Sequence, residues 1–515
     1  MRAAGARSVD LDKDFCGAED GSRARRKPDR ERRKARGGME IERIDRRRLL
    51  KAAARGAVAA PVAAAMPGLG LTVAAHASAH TGPGAHRKTA VAGPKVQLNV
   101  RDLGAAGNGK TNDRLALQLA IDRCAALGGG EVVVPAGEYV TGALVLRSGV
   151  LLRLAEGASL MGTGEMTEYP VTEVRWEGRW TKGYSALISG VDSEELGIVG
   201  PGRIVGSAAI EGRIERKSGL RLPALIEFVN CRRVRVENCS TRQAGMWSIH
   251  PVYCEDAIFR DVKVESGADG IDVDSCRRVT IDGCTFETSD DCISLKSGRG
   301  MEGLTIGRPT EDVRIANCSF RDRNFACIGI GSETSAGIRN VTIEHCKCLG
   351  AKSHAIYIKS RPGRGAYVEK IAVNDFEVAG VGQGFLRVNN LSSGKQDEFP
   401  VAGDEGIPLF RDFRFENIHV TDVPALVEAV EIHPRKPMVG FRLENVTGTC
   451  KSGIALANMR DVAIRNVKVT GFDGPLVAIE NATGVGLASA AKIDAAKMPK
   501  MPEAIAEPVK QYELK

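Results

Sequence analysis

The sequence of 515 residues has few aromatic side chains, which make up 5% of it. No stretch after the first 77 residues has both the length and the apolarity of a membrane span. Helical periodicity is almost absent after residue 128, which argues against a fold with long crossover helices. Glycine, in contrast, is abundant at 59 residues. This composition indicates a soluble protein with many tight turns.

The body of the chain also lacks net charge. The formal net charge is +8, but the surplus of lysine and arginine lies within residues 1–55. Acids and bases cancel over the rest of the chain. We therefore expect no nucleic-acid partner, because nucleic-acid binding proteins present a basic surface.

Residues 1–77 are predicted to form a leader. The stretch DRRRLLK at 45–51 precedes an alanine-rich, weakly apolar run, and AHA at 75–77 matches an A-x-A cleavage site. The pattern resembles a twin-arginine export signal, so we expect the twin-arginine machinery to move the folded protein to the periplasm or outside the cell. Residues 1–38 add nothing to such a signal and can lie upstream of a true start at Met39. An amphipathic basic helix of the mature protein is the alternative interpretation.

A short phrase of alternating apolar and polar residues recurs from residue 234 onward, at shortest intervals of 21 to 23 residues. The copies are VRVENC (234–239), AIFRDV (257–262), VTIDGC (279–284), VRIANC (313–318), VTIEHC (341–346), IAVNDF (371–376), FRFENI (413–418), FRLENV (441–446) and VAIRNV (462–467). A strand that recurs at this period predicts an all-β, single-stranded parallel β-helix, with coils stacked about 4.8 Å apart. We place this domain at 96–487 and an extended or mobile tail at 488–515.

The segment at 111–130 predicts an α-helix that caps the first coil. Threonine, asparagine and aspartate begin it, and glycines end it. The spacing places Leu117, Ala120, Ile121 and Cys124 on one face. Such a helix hides the open edge of a β-helix.

Cysteine is predicted to fill the interior rather than to form disulfide bonds. The last position of the repeated phrase is Cys239, Cys284, Cys318 or Cys346 in some copies and valine, isoleucine or phenylalanine in others. A column in which cysteine alternates with hydrophobic residues indicates buried free thiols. A metal cluster is the alternative, but valine could not replace its ligands.

Three aspartates are predicted to meet on one side of the stack. Asp290 and Asp291 are adjacent, and Asp269 precedes Asp290 by 21 residues, the length of one coil. Converging carboxylates raise the pKa of at least one member. One protonated and one ionised carboxyl suffice to hydrolyse a glycosidic bond. A calcium site built from the same carboxylates is the competing interpretation.

Two further aspartates, Asp272 and Asp274, alternate along the strand that follows Asp269. We interpret them as structural residues that bind backbone amides or form a ladder along the turn.

Over residues 96–469 the sequence resembles polygalacturonases of glycoside hydrolase family 28, which are right-handed parallel β-helices of the pectin lyase-like superfamily. The motifs that carry the resemblance are MWSIHPVYCED (246–256), DGIDVDSC (269–276) and SDDCISLKSG (289–298). The resemblance implies hydrolysis of α-1,4-linked galacturonic acid with inversion. It assigns the general acid to Asp290 and the holding of the attacking water to Asp269 and Asp291. We expect an acidic plant-type polysaccharide as substrate, no cofactor, no metal and a monomer.

The sequence departs from the family at three places. Gly267-Ala268-Asp269 stands where the family has Asn-Thr-Asp, and Phe325 stands where a histidine is expected. Tyr357-Ile358-Lys359 replaces Arg-Ile-Lys.

Several residues are candidates for substrate binding around these departures. Lys359 is a predicted partner of a uronate carboxylate, and Tyr357, at the position of the family arginine, is also a predicted substrate-binding residue. The candidates to replace the missing arginine are Lys296, Arg361 and Arg364. His250 matches a family motif and either binds substrate or packs beside Trp247. His354 is a candidate for the missing histidine, with ordinary packing as its alternative. Trp176 and Trp180 either stack on sugar rings or fill the core.

Three functions remain open from the sequence. The leading one is an exported hydrolase of galacturonan. The second is a calcium-dependent polysaccharide lyase on the same fold, with Lys359 as the proton abstractor. The third is a carbohydrate-binding β-helix without catalysis.

Overall fold

The protein was analysed as a computed structural model, which describes residues 96–243, 245–501 and Tyr512. The leader predicted at 1–77 lies outside the described residues, as does most of the distal part of the predicted tail. Among the residues that are described, no helix is long and apolar enough to cross a membrane.

The described chain winds into stacked coils whose strands pair in parallel along three ladders. The first ladder contains Val96–Asn99, Gly130–Val134, Val150–Leu154, Gly197–Val199, Arg235–Glu237, Glu255–Arg260, Arg277–Asp282, Thr310–Ala316, Ile338–Gly350 and Tyr367–Ala379. The second contains Asn108–Asn112, Gly137–Thr141, Ala158–Gly162, Arg203–Val205, Ser240–Gln243, Lys263–Ser266, Thr285–Thr288 and Ser319–Asp322.

The third ladder is the one that carries the aspartates. It contains Leu144–Leu146, Ile188–Val191, Ile226–Val229, Ile249–Val252, Ile271–Asp274, Ile293–Lys296, Ile328–Ile330, His354–Lys359 and Gly384–Asn389. The long strands Leu409–Glu431 and Met438–Thr470 turn corners and extend all three ladders. The strands Val477–Val485 and Ala491–Lys492 follow them. This architecture confirms the predicted parallel β-helix.

An α-helix, Arg114–Ala126, lies at the N-terminal end of the stack and contacts the first coils. Its buried residues are Leu117, Ala120, Ile121 and Cys124, as the spacing predicted. A second helix spans Gly300–Ile306, and 3-10 turns span Val100–Leu103, Met166–Glu168, Asp404–Gly406 and Ala495–Lys497. The strands Val171–Trp176 and Arg179–Tyr184 form an antiparallel hairpin outside the coils.

The repeated phrase ends each strand in a left-handed bend. Asn238, Asn317, His345 and Asn445 all have φ between +53° and +56°. Asparagine tolerates this conformation better than most residues, and its side chain also bonds from coil to coil, as from Asn445 to Asn417 at 3.1 Å. The bend turns the next residue inward, which is why that position is apolar.

The interior column confirms the prediction for cysteine. Cys239, Cys284, Cys318 and Cys346 are at most 4% exposed, and all are free thiols. Phenylalanines form a second column, in which Phe320 stacks on Phe286 and Phe376 at ring-centroid distances of 5.4 and 6.4 Å. The few aromatic residues of this chain are therefore used largely inside the coils, where burial of each contributes about 1.5–3 kcal/mol.

Candidate active site

Asp269 and Asp291 each precede a strand of the third ladder. The register pairs Ile271 with Ile293, which places Asp269 one coil below Asp291. The amide of Gly270 donates to the backbone carbonyl of Asp291 at 3.0 Å and fixes this stacking. Asp290 and Asp269 both lie close enough to Asp291 to raise its pKa. The structure therefore brings Asp269, Asp290 and Asp291 together.

Asp290 is the most exposed of the three aspartates. Its Oδ2 forms an ion pair with Arg213, and the side chains of Asp290 and Arg213 are 26% and 38% exposed. Burial raises the pKa of Asp290, but Arg213 and Lys359 together hold it below its usual range. In the free protein Asp290 is therefore ionised.

Asp291 is enclosed, and its pKa is shifted in the opposite direction from that of Asp290. Its Oδ2 accepts a hydrogen bond from Lys359 Nζ at 3.0 Å, while its Oδ1 is buried without a hydrogen-bond partner among the described residues. A Cβ on Gly329 would lie 2.1 Å from Asp291 Oδ2, so only glycine leaves room for this carboxyl. Burial, and to a lesser extent Asp290 and Asp269, raise the pKa of Asp291 to about 7 against the effect of Lys359. Repulsion, which the sequence suggested as the cause, is the smaller contribution.

Lys296 lies inside the acidic cluster. Its Nζ donates to Asp269 Oδ2 at 3.1 Å and to Asp272 Oδ2 at 2.5 Å, and it lies 4.5 Å from the ring centroid of Trp247. Burial lowers the pKa of Lys296, but Asp269 and Asp272 more than offset this and keep it charged. The structure thus places Lys296 between aspartates, where its charge compensates theirs.

Asp272 and Asp274, which we interpreted as structural residues that bind backbone amides or form a ladder along the turn, bind buried cations instead of backbone amides. Asp272 pairs with Lys296, and Asp274 Oδ2 accepts from Arg175 Nε at 2.9 Å. Arg175 is 1% exposed and reaches the site from the hairpin at 171–184, far away in sequence. Asp274 is consequently held ionised, with a pKa below its usual range despite its burial.

His250 is enclosed beneath the site. It is 1% exposed, its Nδ1 lies 2.9 Å from Glu227 Oε1, and its ring packs edge-on against Trp247 at 4.6 Å. Glu227 also accepts two hydrogen bonds of 2.8 Å from the buried Arg221. Burial lowers the pKa of His250, so the ring is neutral. This network supports Trp247 from below.

The two early tryptophans occupy different positions. Trp176 is half-buried and stacks on Trp247 with ring centroids 5.2 Å apart. Trp180 lies against Arg175 and Tyr253 at 5.7 and 6.0 Å. Trp176 therefore extends the aromatic surface beside the aspartates, while Trp180 packs on the residues that hold Asp274.

Aromatic rings surround Lys359 at the positions where the sequence departs from the family. Lys359 Nζ lies 4.1 Å from the ring centroid of Phe325 and 5.4 Å from that of Tyr357. Tyr357 is 5% exposed and packs on Arg387 at 5.1 Å. His354, the candidate for the missing histidine, is buried and bonds to Glu428 at 2.6 Å.

A second group of charges is centred on Asp397. Arg299 and Arg364 both reach Asp397, at 2.7 and 2.8 Å, and Arg364 is fully buried. Arg361 donates to the carbonyl of Gly394, and its buried Nε has no hydrogen-bond partner among the described residues. Arg361 thus has an unused donor and is the less buried of the two, whereas the fully buried Arg364 forms an ion pair with Asp397.

Arg213, like Arg175, is a residue of the site that could not be predicted from the sequence. It lies 77 positions before Asp290, in a connection between ladders where the repeated phrase is absent. No motif marks it. The sequence shows only that Arg213 is a basic residue in a loop, and many other residues of this chain share both properties.

The residues in this site fit polar and ionic chemistry. Among the described residues, no group of three or more histidine, cysteine, aspartate or glutamate side chains is arranged to hold a metal ion. The positive charges within the cluster come from Arg213, Lys296 and Lys359.

Comparisons with known proteins agree with this geometry. The chain is 29% identical to a probable polygalacturonase of Vitis vinifera over 67% of this chain and 73% of the relative. It is 23% identical to an exo-poly-alpha-D-galacturonosidase of Dickeya chrysanthemi over 74% of this chain and 72% of the relative.

A solved structure with the same architecture is the hyperthermoactive exopolygalacturonase of Thermotoga maritima. It matches 73% of this chain and 92% of its own, with a TM-score of 0.65 and 25% identity. The fold is therefore the right-handed parallel β-helix that the resemblance implied. The model of the glycosyl hydrolases family 28 matches residues 124–470, which span the three aspartates. The chain belongs to the glycosyl hydrolases of family 28.

Proposed function

We propose that the protein hydrolyses α-1,4-linked galacturonan by acid/base catalysis with inversion. The observation that supports this most strongly is the convergence of Asp269, Asp290 and Asp291 on one patch, each beside its own cation. Hydrolysis with inversion requires one protonated carboxyl and one carboxylate that activates water. Adjacent carboxyls that interact strongly titrate as a pair. With the pKa of Asp291 at about 7, the pair Asp290–Asp291 carries one proton just below neutral pH.

The exposures support the division of roles implied by the family. Asp290 is 26% exposed and reaches the groove, so it is placed to protonate the leaving glycosidic oxygen. Asp291 and Asp269 are 3% and 4% exposed. Asp291 Oδ1 is buried and has no protein partner among the described residues, and we assign it the hydrogen bond from the attacking water. Asp269, compensated by Lys296, supplies the second acceptor.

The substrate brings carboxylates of its own into this site. Lys359 is charged, because Asp291 and Asp290 raise its pKa against the effect of burial. We assign it to the stabilisation of negative charge around Asp291, within reach of a uronate. The half-buried face of Phe325 offers an apolar surface for a sugar ring next to this ammonium.

The same charges oppose the lyase alternative. A lyase needs a neutral base to abstract a proton, and Lys359 is held protonated by two aspartates. It would also need calcium among the carboxylates, where Lys296 already bonds to Asp269 and Asp272. The hydrolase accounts for both lysines as compensating charges.

One experiment separates the candidates. Purified protein is incubated with polygalacturonate, with and without a chelator, while reducing ends and ultraviolet absorbance are followed together. The hydrolase releases reducing ends without absorbance in both conditions. A lyase would produce absorbance that the chelator stops, and a binding module would release nothing. Asp290→Asn should lower the rate about 10³-fold; an active Asp290→Asn variant would refute its assignment as the acid.

We also propose that the protein is exported by the twin-arginine pathway, on the basis of DRRRLLK at 45–51 and the AHA site at 75–77. Replacement of Arg46 and Arg47 by lysine should retain the protein in the cytoplasm when cell fractions are compared by immunoblot. Unchanged export of that variant would contradict the proposal.

A further inference from the structure

Arg213 is presented by a small arm with a defined structure. The amide of Leu222 donates to the carbonyl of Arg213 at 2.9 Å, and Ile214 and Arg221 form an antiparallel bridge. The base of the arm is anchored because the buried Arg221 makes two hydrogen bonds of 2.8 Å to Glu227. The position of Arg213 is therefore set by folded structure.

The arm also rests directly on the coils beside the site. A Cβ on Gly245 would lie 2.2 Å from the amide nitrogen of Gly212, so the two backbones are in contact. This contact lies next to Trp247 in the chain and delivers the guanidinium of Arg213 to Asp290.

Arg213 is the accessible cation of the acidic cluster. Its side chain is 38% exposed, whereas those of Lys296 and Lys359 are 8% and 10% exposed. A polysaccharide that enters the groove can contact Arg213 before the two enclosed lysines. Guanidinium groups bind carboxylates with two parallel hydrogen bonds, and every galacturonate residue carries a carboxylate.

We propose that Arg213 is a substrate-binding residue whose guanidinium leaves Asp290 for a uronate carboxylate when the polysaccharide binds. The proton shared by the aspartate pair then moves from Asp291 to Asp290, which passes it to the leaving oxygen. This inference rests on the proposed function. It explains how an aspartate that is paired with arginine in the free protein acts as an acid in the complex.

The surroundings of Asp290 favour this transfer. The charged groups that face Asp290 and Arg213 come from several elements and are Lys359, Asp269, Asp291, Asp322 and Glu177. In the free protein, burial raises the pKa of Asp290, and Arg213 and Lys359 lower it. Once Arg213 turns to the substrate, one of these two cations is lost while the neighbouring carboxyls remain. Protonation of Asp290 becomes easier at that moment.

The test compares pH profiles of the wild type with Arg213→Ala and Arg213→Lys on polygalacturonate. The profile of kcat/KM reports the free enzyme, and that of kcat reports the complex. In the wild type, the alkaline limb of kcat should lie at higher pH than that of kcat/KM, because Arg213 has left Asp290 only in the complex. Arg213→Ala should move the kcat/KM limb upward and narrow this difference. The KM of Arg213→Ala should rise about 10-fold or more. The KM of Arg213→Lys should lie between those of the wild type and Arg213→Ala.

Arg216→Ala is the matched control, because Arg216 lies exposed on the same arm. It should leave both profiles and KM unchanged, and thermal melting of each variant checks that it folds. Two results would overturn the role of Arg213 but not the proposed function. One is that the alkaline limbs of kcat and kcat/KM coincide in the wild type, and the other is that Arg213→Ala leaves KM and both pH profiles unchanged. A folded wild type that releases no reducing ends would overturn the proposed function and this inference with it.

Discussion

The first and third ladders use charged residues in opposite ways. On the first ladder, Arg278 and Asp256 pair at 2.6 Å with 44% and 43% of their side chains exposed. On the third ladder, Lys296 and Asp269 pair at 3.1 Å with 8% and 5% exposed. Both pairs join adjacent coils of one repeat. The difference is the covering layer, because Trp247 lies over Lys296 and the hairpin at 171–184 brings Arg175 onto Asp274 of the third ladder.

This comparison shows how one repeat produces both an inert surface and an active site. An exposed pair is screened by water and contributes about 0–1 kcal/mol. In an enclosed pair each charge depends on the other for its stabilisation, because water cannot replace it. The pKa of an enclosed carboxyl therefore changes when a neighbouring charge is removed or added. Both ladders carry charged residues, so the burial of those residues is what distinguishes the third ladder.

The largest difference between the first and third ladders should appear in the effect of substitutions on activity. Asp269→Asn removes an acceptor for the attacking water, and we expect the rate of reducing-end release to fall about 10³-fold. Asp256→Asn, on the exposed pair, should leave this rate unchanged. Equal effects of the two substitutions would remove the distinction between the ladders.

Breaking a buried ion pair should also reduce the free energy of unfolding more than breaking an exposed one. Lys296→Met leaves Asp269 and Asp272 buried without their cation, and we expect a loss of about 3–5 kcal/mol in the free energy of unfolding. Lys347→Met breaks the exposed pair with Glu377, at 3.0 Å and 55% exposure of both side chains, and should cost less than about 1 kcal/mol. Denaturant unfolding of both variants measures the difference; comparable losses would contradict it.

The pH dependence of activity follows from the enclosed pair. The pKa of Asp291 is raised to about 7 in the folded protein. Below that pH the Asp290–Asp291 pair retains its proton, and above it the proton is lost, so kcat/KM should fall as the pH rises through about 7. Because the same carboxyl ionises near pH 4 in the unfolded chain but only near pH 7 in the folded protein, the free energy of unfolding should fall as the pH rises from about 4 to about 7. A kcat/KM that keeps rising well above pH 7 would show that no proton of this pair is needed.

The smallest effect should come from the interior column. Cys318→Val places a side chain that other copies of the phrase already have at this position, and we expect a change below about 1.5 kcal/mol with no loss of activity. Thermal melting and reducing-end release check both parts. A large loss of activity would give this thiol a role that its burial does not suggest.

The fold could be predicted because the period of the repeat determines which residues face inward. The cysteine column, the capping helix and the stacking of Asp269 below the aspartate pair all follow from spacing. Partners that arrive from outside the repeat could not be predicted. Arg175 and Arg213 come from a hairpin and an arm without periodicity, so the pairing of Asp274 and the ion pair on Asp290 were not foreseen. The enclosure of Lys296 also depends on the covering layer.

Proton nuclear magnetic resonance of the first product released from polygalacturonate distinguishes attack by water from attack by a carboxylate, because it reports the anomeric configuration of that product. Direct attack by a water held between Asp269 and Asp291, with the proton supplied by Asp290, converts the α-linkage into a β-anomer. The account predicts that the β-anomer appears first and then mutarotates. Initial release of the α-anomer would show that a carboxylate attacks the sugar itself, and would contradict the assigned roles.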